Sequence, residues 1–217
     1  DPTRLRTIAR GIDPAQFPHR PHPDPTARAQ LAQLHPALAG TGPLLLLPGR
    51  GTRLKGHADA LQLLATLRAG AFPDARLWLP GARQAGREAY IEELQAQARA
   101  LGVDAVVAFT APTSHMAQAY AGCDLVLQLS RKPEAFGRTV VEALSVGRPV
   151  LGWAHGGVGE LLAQLQPSGA VAPFDADALA ATATGLLRAP PSPPATIPFT
   201  LQAMQHATLE LYAELAG

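Results

Sequence analysis

Short apolar runs alternate with longer stretches of helical spacing along most of the chain. Each run is apolar nearly throughout, not at every second position, which is typical of strands buried on both faces of a parallel sheet. The five strongest predicted strands are "GPLLLLPGR", "ARLWLPG", "DAVVAFT", "DLVLQLS" and "RPVLGWA". A weaker sixth strand, "GAVAP", is predicted after them by the same alternation.

The stretches between these runs have the spacing of helices. In "GHADALQLLATLRAG", leucines 61, 64 and 67 share one helical face. Gly102 ends the next predicted helix, and Asp175 is a favoured cap for the last helix of this series. Strand and helix in alternation indicate right-handed βαβ units. The pattern therefore predicts an α/β fold, a doubly wound parallel sheet with helices on both faces.

The two flanks are less regular, and they set the expected boundaries within a single domain over residues 1–217. Residues 1–42 form an irregular first segment that holds a short strand candidate, "LRTIARGID", and a helix near Pro25 to Leu34. The Rossmann-like core is expected over 43–188. Residues 189–198, "APPSPPATIP", read as a stiff proline-rich connector. A final amphipathic helix is expected over 199–217.

Composition narrows the class of partner. Of 217 residues, 47% are hydrophobic and 16% are charged, which is typical of a globular chain. A net charge of +1 does not favour bulk electrostatic capture of nucleic acid, so we expect no nucleic-acid partner. Cys123 is the single cysteine, which leaves no intramolecular disulfide and no cysteine-based metal site. It also favours a reducing compartment, so we expect a cytoplasmic protein.

Ligands of such sheets bind beyond the carboxyl ends of the strands, where the helices begin. The first of these turns, "PGRGTRLKG", carries Arg50 and Lys55 after a buried strand. Two cations at this edge can clamp a diphosphate, the arginine through its planar fork and the lysine as a point charge. A pair of solvated surface cations is the alternative interpretation of the same turn.

A second turn, "PEAFGRTVVEAL", places two carboxylates eight positions apart around a predicted helix start near Phe136 or Gly137. The first amides of a helix have no helical acceptor, and the dipole adds positive charge, so a phosphate fits there. Glu134 and Glu142 would reach groups on either side, because ionised carboxylates accept strongly from sugar hydroxyls. The alternative is one charge before the helix and another on its solvent face.

Taken together, "GR…LKG", the strand–helix series and "EAFGRTVVEALSVGRPV" resemble the family-4 retaining glycosyltransferases of the GT-B class. The segments "TIARGIDPAQF", "YAGCDLVLQLS" and "GRPVLGWAHGGVGELL" are similar to that family as well, so the resemblance covers roughly residues 6–217. It implies one half of a GT-B fold, the C-terminal nucleotide-sugar-binding domain. The N-terminal acceptor domain of the family is absent from this sequence, which we interpret as a fragment of a longer chain.

The resemblance also implies roles for individual residues. Arg50 and Lys55 would bind the donor diphosphate and stabilise charge on the leaving nucleotide, and Glu134 would contact the donor sugar. These three are the candidate catalytic residues. Glu142 would accept hydrogen bonds from the ribose. The other residues implied to contact nucleotide or sugar are Gly49, Gly81, Phe109, Thr110, Phe136, Gly137, Arg138 and Thr139.

The reaction implied is transfer of a sugar from a UDP-, GDP- or ADP-sugar to an acceptor hydroxyl, with retention at the anomeric carbon. No metal or other cofactor is expected, and the isolated domain should be inactive without its missing N-terminal domain. The Ala-, Arg- and Pro-rich composition suggests a bacterial gene. We therefore expect a glycan or lipid acceptor in lipopolysaccharide or capsule synthesis, with the protein in the cytoplasm or peripheral at the inner face of the cytoplasmic membrane.

Two alternatives stay open. One is a sugar-nucleotide epimerase of the same architecture, which would need an acid/base set that the sequence does not reveal. The other is a nucleotide-binding module without catalysis.

Overall fold

The computed structural model describes residues 5–216 and contains one six-stranded sheet in which every pairing is parallel. The strand order is β3-β2-β1-β4-β5-β6, so the chain winds outward from β1 in both directions. The predicted doubly wound parallel sheet is confirmed. The strands are β1 Leu44–Leu46, β2 Arg76–Pro80, β3 Val107–Thr110, β4 Leu125–Gln128, β5 Val150–Trp153 and β6 Ala170–Val171.

Helices follow the strands on both faces of the sheet. Asp175 caps the seventh helix as predicted, because its carboxylate accepts from the amide of Ala178 at 2.9 Å. The helices are α1 Pro25–Leu34, α2 His57–Ala69, α3 Glu88–Ala100, α4 Met116–Gly122, α5 Arg138–Val146, α6 Gly156–Leu165, α7 Ala176–Arg188 and α8 Leu201–Ala216.

Two hydrophobic cores, one on each face of the sheet, explain why the strands are apolar at most positions. Leu45 and Leu47 face the core that is covered by α2, α3 and α7. Leu44 and Leu46, their immediate neighbours, face the other core, which is covered by α1, α4, α5 and α6. Successive side chains of a strand point to opposite faces, so a sheet covered on both sides favours apolar residues at nearly every position of its strands.

The prediction of a strand in "LRTIARGID" is wrong. Residues 5–13 form no strand, and Ile12 pairs with Thr200 in a single isolated bridge. The amide of Ile12 donates to the carbonyl of Phe199 at 2.9 Å, and the amide of Leu201 donates back to Ile12 at 2.7 Å. The segment thus pairs with the residues that lead into α8 and not with a strand of the sheet. It therefore has no neighbouring strand with which to form a continuous ladder of hydrogen bonds.

Buried arginines fix the irregular first segment to the core. The guanidinium of Arg76 donates to the carbonyls of Leu38, Gly40 and Gly42. Arg148, also buried, donates to the carbonyl of Arg20. A buried cation needs such acceptors because desolvation without hydrogen bonds is costly. These contacts hold the chain on either side of α1, at residue 20 and at residues 38–42, against the core.

The last helix, α8, contributes no buried residue to either core. Leu209 and Leu215 on this helix are 65% and 76% exposed, and Tyr212 is exposed beside them. Within residues 5–216, every helix is too short or too polar to cross a bilayer.

Candidate active site

The candidate site lies where β1 and β4 lie side by side in the sheet. From this point the chain winds toward β3 on one side and toward β6 on the other, which makes it the topological switch point where α/β sheets bind ligands. The loop after β1, residues 47–56, meets the loop after β4, residues 129–137. The amide of Arg131 donates to the carbonyl of Leu54 at 2.8 Å. A methyl group on Gly56 would lie 2.1 Å from the carbonyl oxygen of Leu129, so only glycine permits this approach.

Lys55 and Glu134, one from each loop, form an ion pair at the centre of this junction. Lys55 Nζ lies 2.5 Å from Glu134 Oε1, and the Ser130 hydroxyl donates to the same oxygen. Gln128 Nε2 donates to Oε2 at 3.1 Å. Burial alone would raise the pKa of Glu134. The hydrogen bonds from Lys55 and Ser130 and the positive charge of Lys55 outweigh burial and lower this pKa, so the carboxylate is ionised.

The other two cations of the first loop have different surroundings. Arg53 pairs with Glu93 on α3 at 2.5 Å and lies over the ring of Tyr90, which directs it away from Glu134. Arg50 is exposed and makes no ion pair and no side-chain hydrogen bond within residues 5–216. Arg50 is therefore the cation of this loop whose donors are not occupied by the protein.

The start of α5 forms the second side of the site. The helix begins at Arg138, and no side chain caps it. Within the part of the chain that the structure describes, the amides of Gly137, Arg138 and Thr139 donate to no protein acceptor. Gly137 has φ 103°, and a methyl group there would lie 3.0 Å from a methyl of Val158. Unsatisfied amides at a helix start are suited to bind an anion.

Phe136 precedes this helix start and packs edge-on against Phe199, with ring centroids 5.6 Å apart. The loop that carries it also rests on the start of α6, where the Gly157 amide donates to the Glu134 carbonyl at 2.8 Å. A methyl group on Gly157 would lie 2.5 Å from the carbonyl oxygen of Phe136. The positions of Glu134 and Phe136 therefore depend on glycine at the start of α6.

Glu142 is buried, so its interpretation as a charge on the solvent face of the helix is wrong. Its Oε2 accepts from the hydroxyl of Tyr120 at 2.9 Å, and its Oε1 accepts from Arg138 at 2.8 Å. Tyr120 belongs to α4, and α4 packs against α5 at this point. Each oxygen of Glu142 therefore has a donor, which offsets the cost of burying the carboxylate.

The remaining predicted residues lie along the carboxyl edge from β1 to β3. The Gly49 amide donates to the main-chain carbonyl of Pro80 at 3.0 Å, and the Gly81 amide donates to the main-chain carbonyl of Thr110 at 3.1 Å. The Thr110 hydroxyl accepts from the Trp78 indole at 3.0 Å. Phe109 packs with its ring toward the α2/α3 core, and its carbonyl accepts from Arg83. Main-chain groups at this edge, more than side chains, are thus positioned to contact a ligand.

Sequence reasoning missed three of the residues that hold the two carboxylates, namely Gln128, Ser130 and Tyr120. Gln128 and Ser130 are polar residues two positions apart at the end of an apolar strand, a spacing that places them on one side of the chain. That pattern could have indicated their contact with Glu134. Tyr120 gave no such signal, since one tyrosine in a helix is ordinarily part of a core. His155, which the sequence left open between ligand contact and packing, lies with its Nε2 2.8 Å from the Ser130 carbonyl.

The chain is similar to known proteins over most of its length. A family model described as glycosyl transferases group 1 matches residues 35–197. The chain belongs to this family. A D-inositol 3-phosphate glycosyltransferase of Jonesia denitrificans is 33% identical over 162 residues, which is 73% of this chain. The alignment covers 37% of that protein, so the chain spans little more than a third of its length.

Two solved structures show that the glycosyltransferase fold extends over nearly the whole chain. A glycosyltransferase of Rickettsia africae superposes with a TM-score of 0.84 at 20% identity, over 100% of this chain and 58% of that one. HepE of Anabaena, solved in complex with UDP and glucose, superposes with a TM-score of 0.82 at 24% identity. That match covers 96% of this chain and 56% of HepE. At these identities the two structures support the fold.

Proposed function

We propose that this chain is the donor-binding domain of a retaining, family-4 type glycosyltransferase and that it binds a nucleotide-diphosphate sugar between the loops 47–56 and 129–137. The observation that carries this proposal is the uncapped start of α5 beside the Lys55–Glu134 pair. Free amides and a lysine together provide the positive charge that a diphosphate requires.

In this proposal the diphosphate rests on the amides of Gly137 to Thr139 and is clamped by Arg50 and Lys55. The same groups stabilise the negative charge that grows on the leaving nucleotide, which is the usual source of electrostatic catalysis. In this scheme no metal ion is needed for that neutralisation. Glu134 is ionised, so it accepts from hydroxyls of the donor sugar. Glu142 accepts from the ribose at the other end.

The proposed reaction forms a bond between an acceptor oxygen and the anomeric carbon on the face from which the nucleotide leaves. The departing phosphate oxygen takes the acceptor proton, so configuration is retained without a covalent enzyme intermediate. The acceptor domain is proposed to belong to the full-length protein, as in the family. Membership of a glycosyltransferase family favours transfer over the epimerase and over the non-catalytic module.

Two kinds of acceptor are candidates for this protein. An envelope glycan, in lipopolysaccharide or capsule synthesis, was the expectation from composition. The similar proteins are named D-inositol 3-phosphate glycosyltransferases, which favours a phosphorylated polyol as a second candidate acceptor.

Calorimetric titration of the chain with UDP, GDP, ADP and their sugar conjugates tests donor binding. We expect one of the three nucleotides to bind and Lys55→Ala to weaken it by about tenfold or more, since a charge-assisted contact is lost. Arg53→Ala is the matched control and should leave affinity unchanged, because Arg53 pairs with Glu93 outside the site. Absence of binding by all three nucleotides would contradict the proposal.

The role of Glu134 is tested in the full-length protein. Glu134→Gln should abolish most transfer and leave the affinity for the nucleotide diphosphate within about threefold, because the carboxylate is proposed to contact the sugar. Unchanged transfer would favour a binding module or an epimerase.

A further inference from the structure

Two polar side chains are buried together between α4 and α5. Tyr120 is 1% exposed and Glu142 is 6% exposed, and the tyrosine hydroxyl donates to Glu142 Oε2 over 2.9 Å. The tyrosine ring also lies against Phe17 of the irregular first segment, at 6.2 Å between centroids. Helices α4 and α5 and the first segment therefore meet at this side chain, and a rotation of the ring would disturb the contacts with both Glu142 and Phe17.

The bond from Tyr120 makes the two oxygens of Glu142 unequal. Oε2 is directed into the protein, while Oε1 is directed toward Arg138, whose side chain is 63% exposed. Burial and then the adjacent negative charge of Glu142 raise the pKa of the Tyr120 phenol, so the hydroxyl stays protonated and donates. Oε2 is thus occupied by a buried donor, while the donor on Oε1 is an exposed arginine on the solvent side.

We propose that Tyr120 is a positioning residue: it holds Glu142 Oε2 so that Oε1 faces the ribose hydroxyls of the bound nucleotide. This inference rests on the proposed function, in which Glu142 binds ribose. Without the phenol oxygen, the carboxylate would lose its inner donor and could turn about its last torsion, which is broad for glutamate. A carboxylate whose oxygen is held in one orientation can accept hydrogen bonds from the ribose hydroxyls and so favour a ribonucleotide over an analogue without them.

The test compares a ribonucleotide with its analogue lacking both ribose hydroxyls. The chain is titrated with whichever of UDP, GDP and ADP binds best and with the matching 2′,3′-dideoxynucleoside diphosphate. We expect the unchanged chain to prefer the ribonucleotide by about tenfold or more, and Tyr120→Phe to reduce that preference to about threefold or less. Affinity for the dideoxy analogue should not change, because it makes no contact with Glu142.

Two further variants separate positioning from stability. Tyr90→Phe is the matched control: the Tyr90 hydroxyl makes no hydrogen bond within residues 5–216, and the preference should remain that of the unchanged chain. Glu142→Gln should also reduce the preference. In that background Tyr120→Phe should add little, since the two residues act through one contact. The melting temperature of each variant is measured in parallel.

The outcomes are distinguishable. If the unchanged chain binds the nucleotide but shows no preference for ribose, the proposed role of Glu142 is overturned. If it shows the preference and Tyr120→Phe retains it, the positioning role alone is overturned. An equal loss of affinity for both ligands in Tyr120→Phe would mean a general structural effect and would also overturn the positioning role.

Discussion

Lys55 and Glu134 neutralise each other in the structure, and this pairing matters for how a ligand would bind. A lysine that is held 2.5 Å from a carboxylate has lost much of its rotational freedom already. A diphosphate that shares this lysine therefore costs less conformational entropy than one that must order an unrestrained side chain. Ser130 and Gln128 would keep Glu134 in place while Lys55 turns toward the phosphate.

His57, the first residue of α2, is the side chain with the clearest expected pH effect. It is fully buried, and neither ring nitrogen reaches a hydrogen-bond partner within residues 5–216. Burial lowers its pKa from 6.5 to about 4, the charge of Lys55 acts in the same direction, and nearby main-chain groups of Thr52 and Gly49 offset this only in part. The imidazole is therefore neutral at pH 7.

We predict that His57→Leu reduces the loss of unfolding free energy that the unchanged chain shows as the pH falls. Because the folded pKa lies below the unfolded value, the unfolded chain takes up the proton first as pH falls from about 6.5 to about 4. This uptake removes up to about 3 kcal/mol from the free energy of unfolding of the unchanged chain, and the variant should not show that loss. Urea denaturation at pH 7 and at pH 4.5 measures the difference. The same pH dependence in both proteins would contradict the assignment.

At the scale of elements, the start of α5 depends on one glycine. Gly137 combines a positive φ with close contact to Val158, so an alanine there would be strained and crowded. Gly185, in the middle of α7, has no atom within 4 Å of the position that a methyl group would take. The two glycines therefore respond to the same substitution in opposite ways.

We predict that Gly137→Ala lowers the free energy of unfolding by about 1–2 kcal/mol, through its unfavourable backbone conformation and the contact with Val158. Gly185→Ala should raise it by about 0.5–1 kcal/mol, because alanine has a higher helix propensity than glycine. Chemical denaturation of both variants at pH 7 checks the pair. Equal effects of the two substitutions would show that the backbone at Gly137 is not restrained as described.

Element by element, the apolar runs and helical spacings predicted six strands and the helices between them within a few residues. The exceptions have physical reasons. Residues 104–106 form a 3-10 turn in place of the first part of a predicted strand, and residues 5–13 pair with the start of α8. An apolar stretch becomes a strand only where a neighbouring strand accepts its hydrogen bonds, and local pattern does not contain that information.

At the scale of the whole molecule, α8 lies outside both cores and exposes a row of apolar side chains. We predict that the double variant Leu209→Ser/Leu215→Ser changes the free energy of unfolding of this chain by less than about 1 kcal/mol, because both side chains are mostly exposed. Leu161→Ala is the contrasting variant: Leu161 is buried in α6, and its truncation should cost about 2–4 kcal/mol. Urea denaturation of the three proteins makes the comparison. A large loss in the double variant would show that α8 packs more tightly than described.

The sequence by itself determined which segments are strands and helices, because hydrophobic periodicity, glycine stops and capping residues act over a few positions. It also indicated Arg50, Lys55, Glu134 and Glu142 as candidates, since charged residues at strand-to-helix turns are local features. Only the tertiary structure decided that Lys55 meets Glu134 across 79 positions and that Glu142 is buried against Tyr120. Those contacts follow from β4 pairing with β1, and strand order depends on how all the elements together bury their apolar faces.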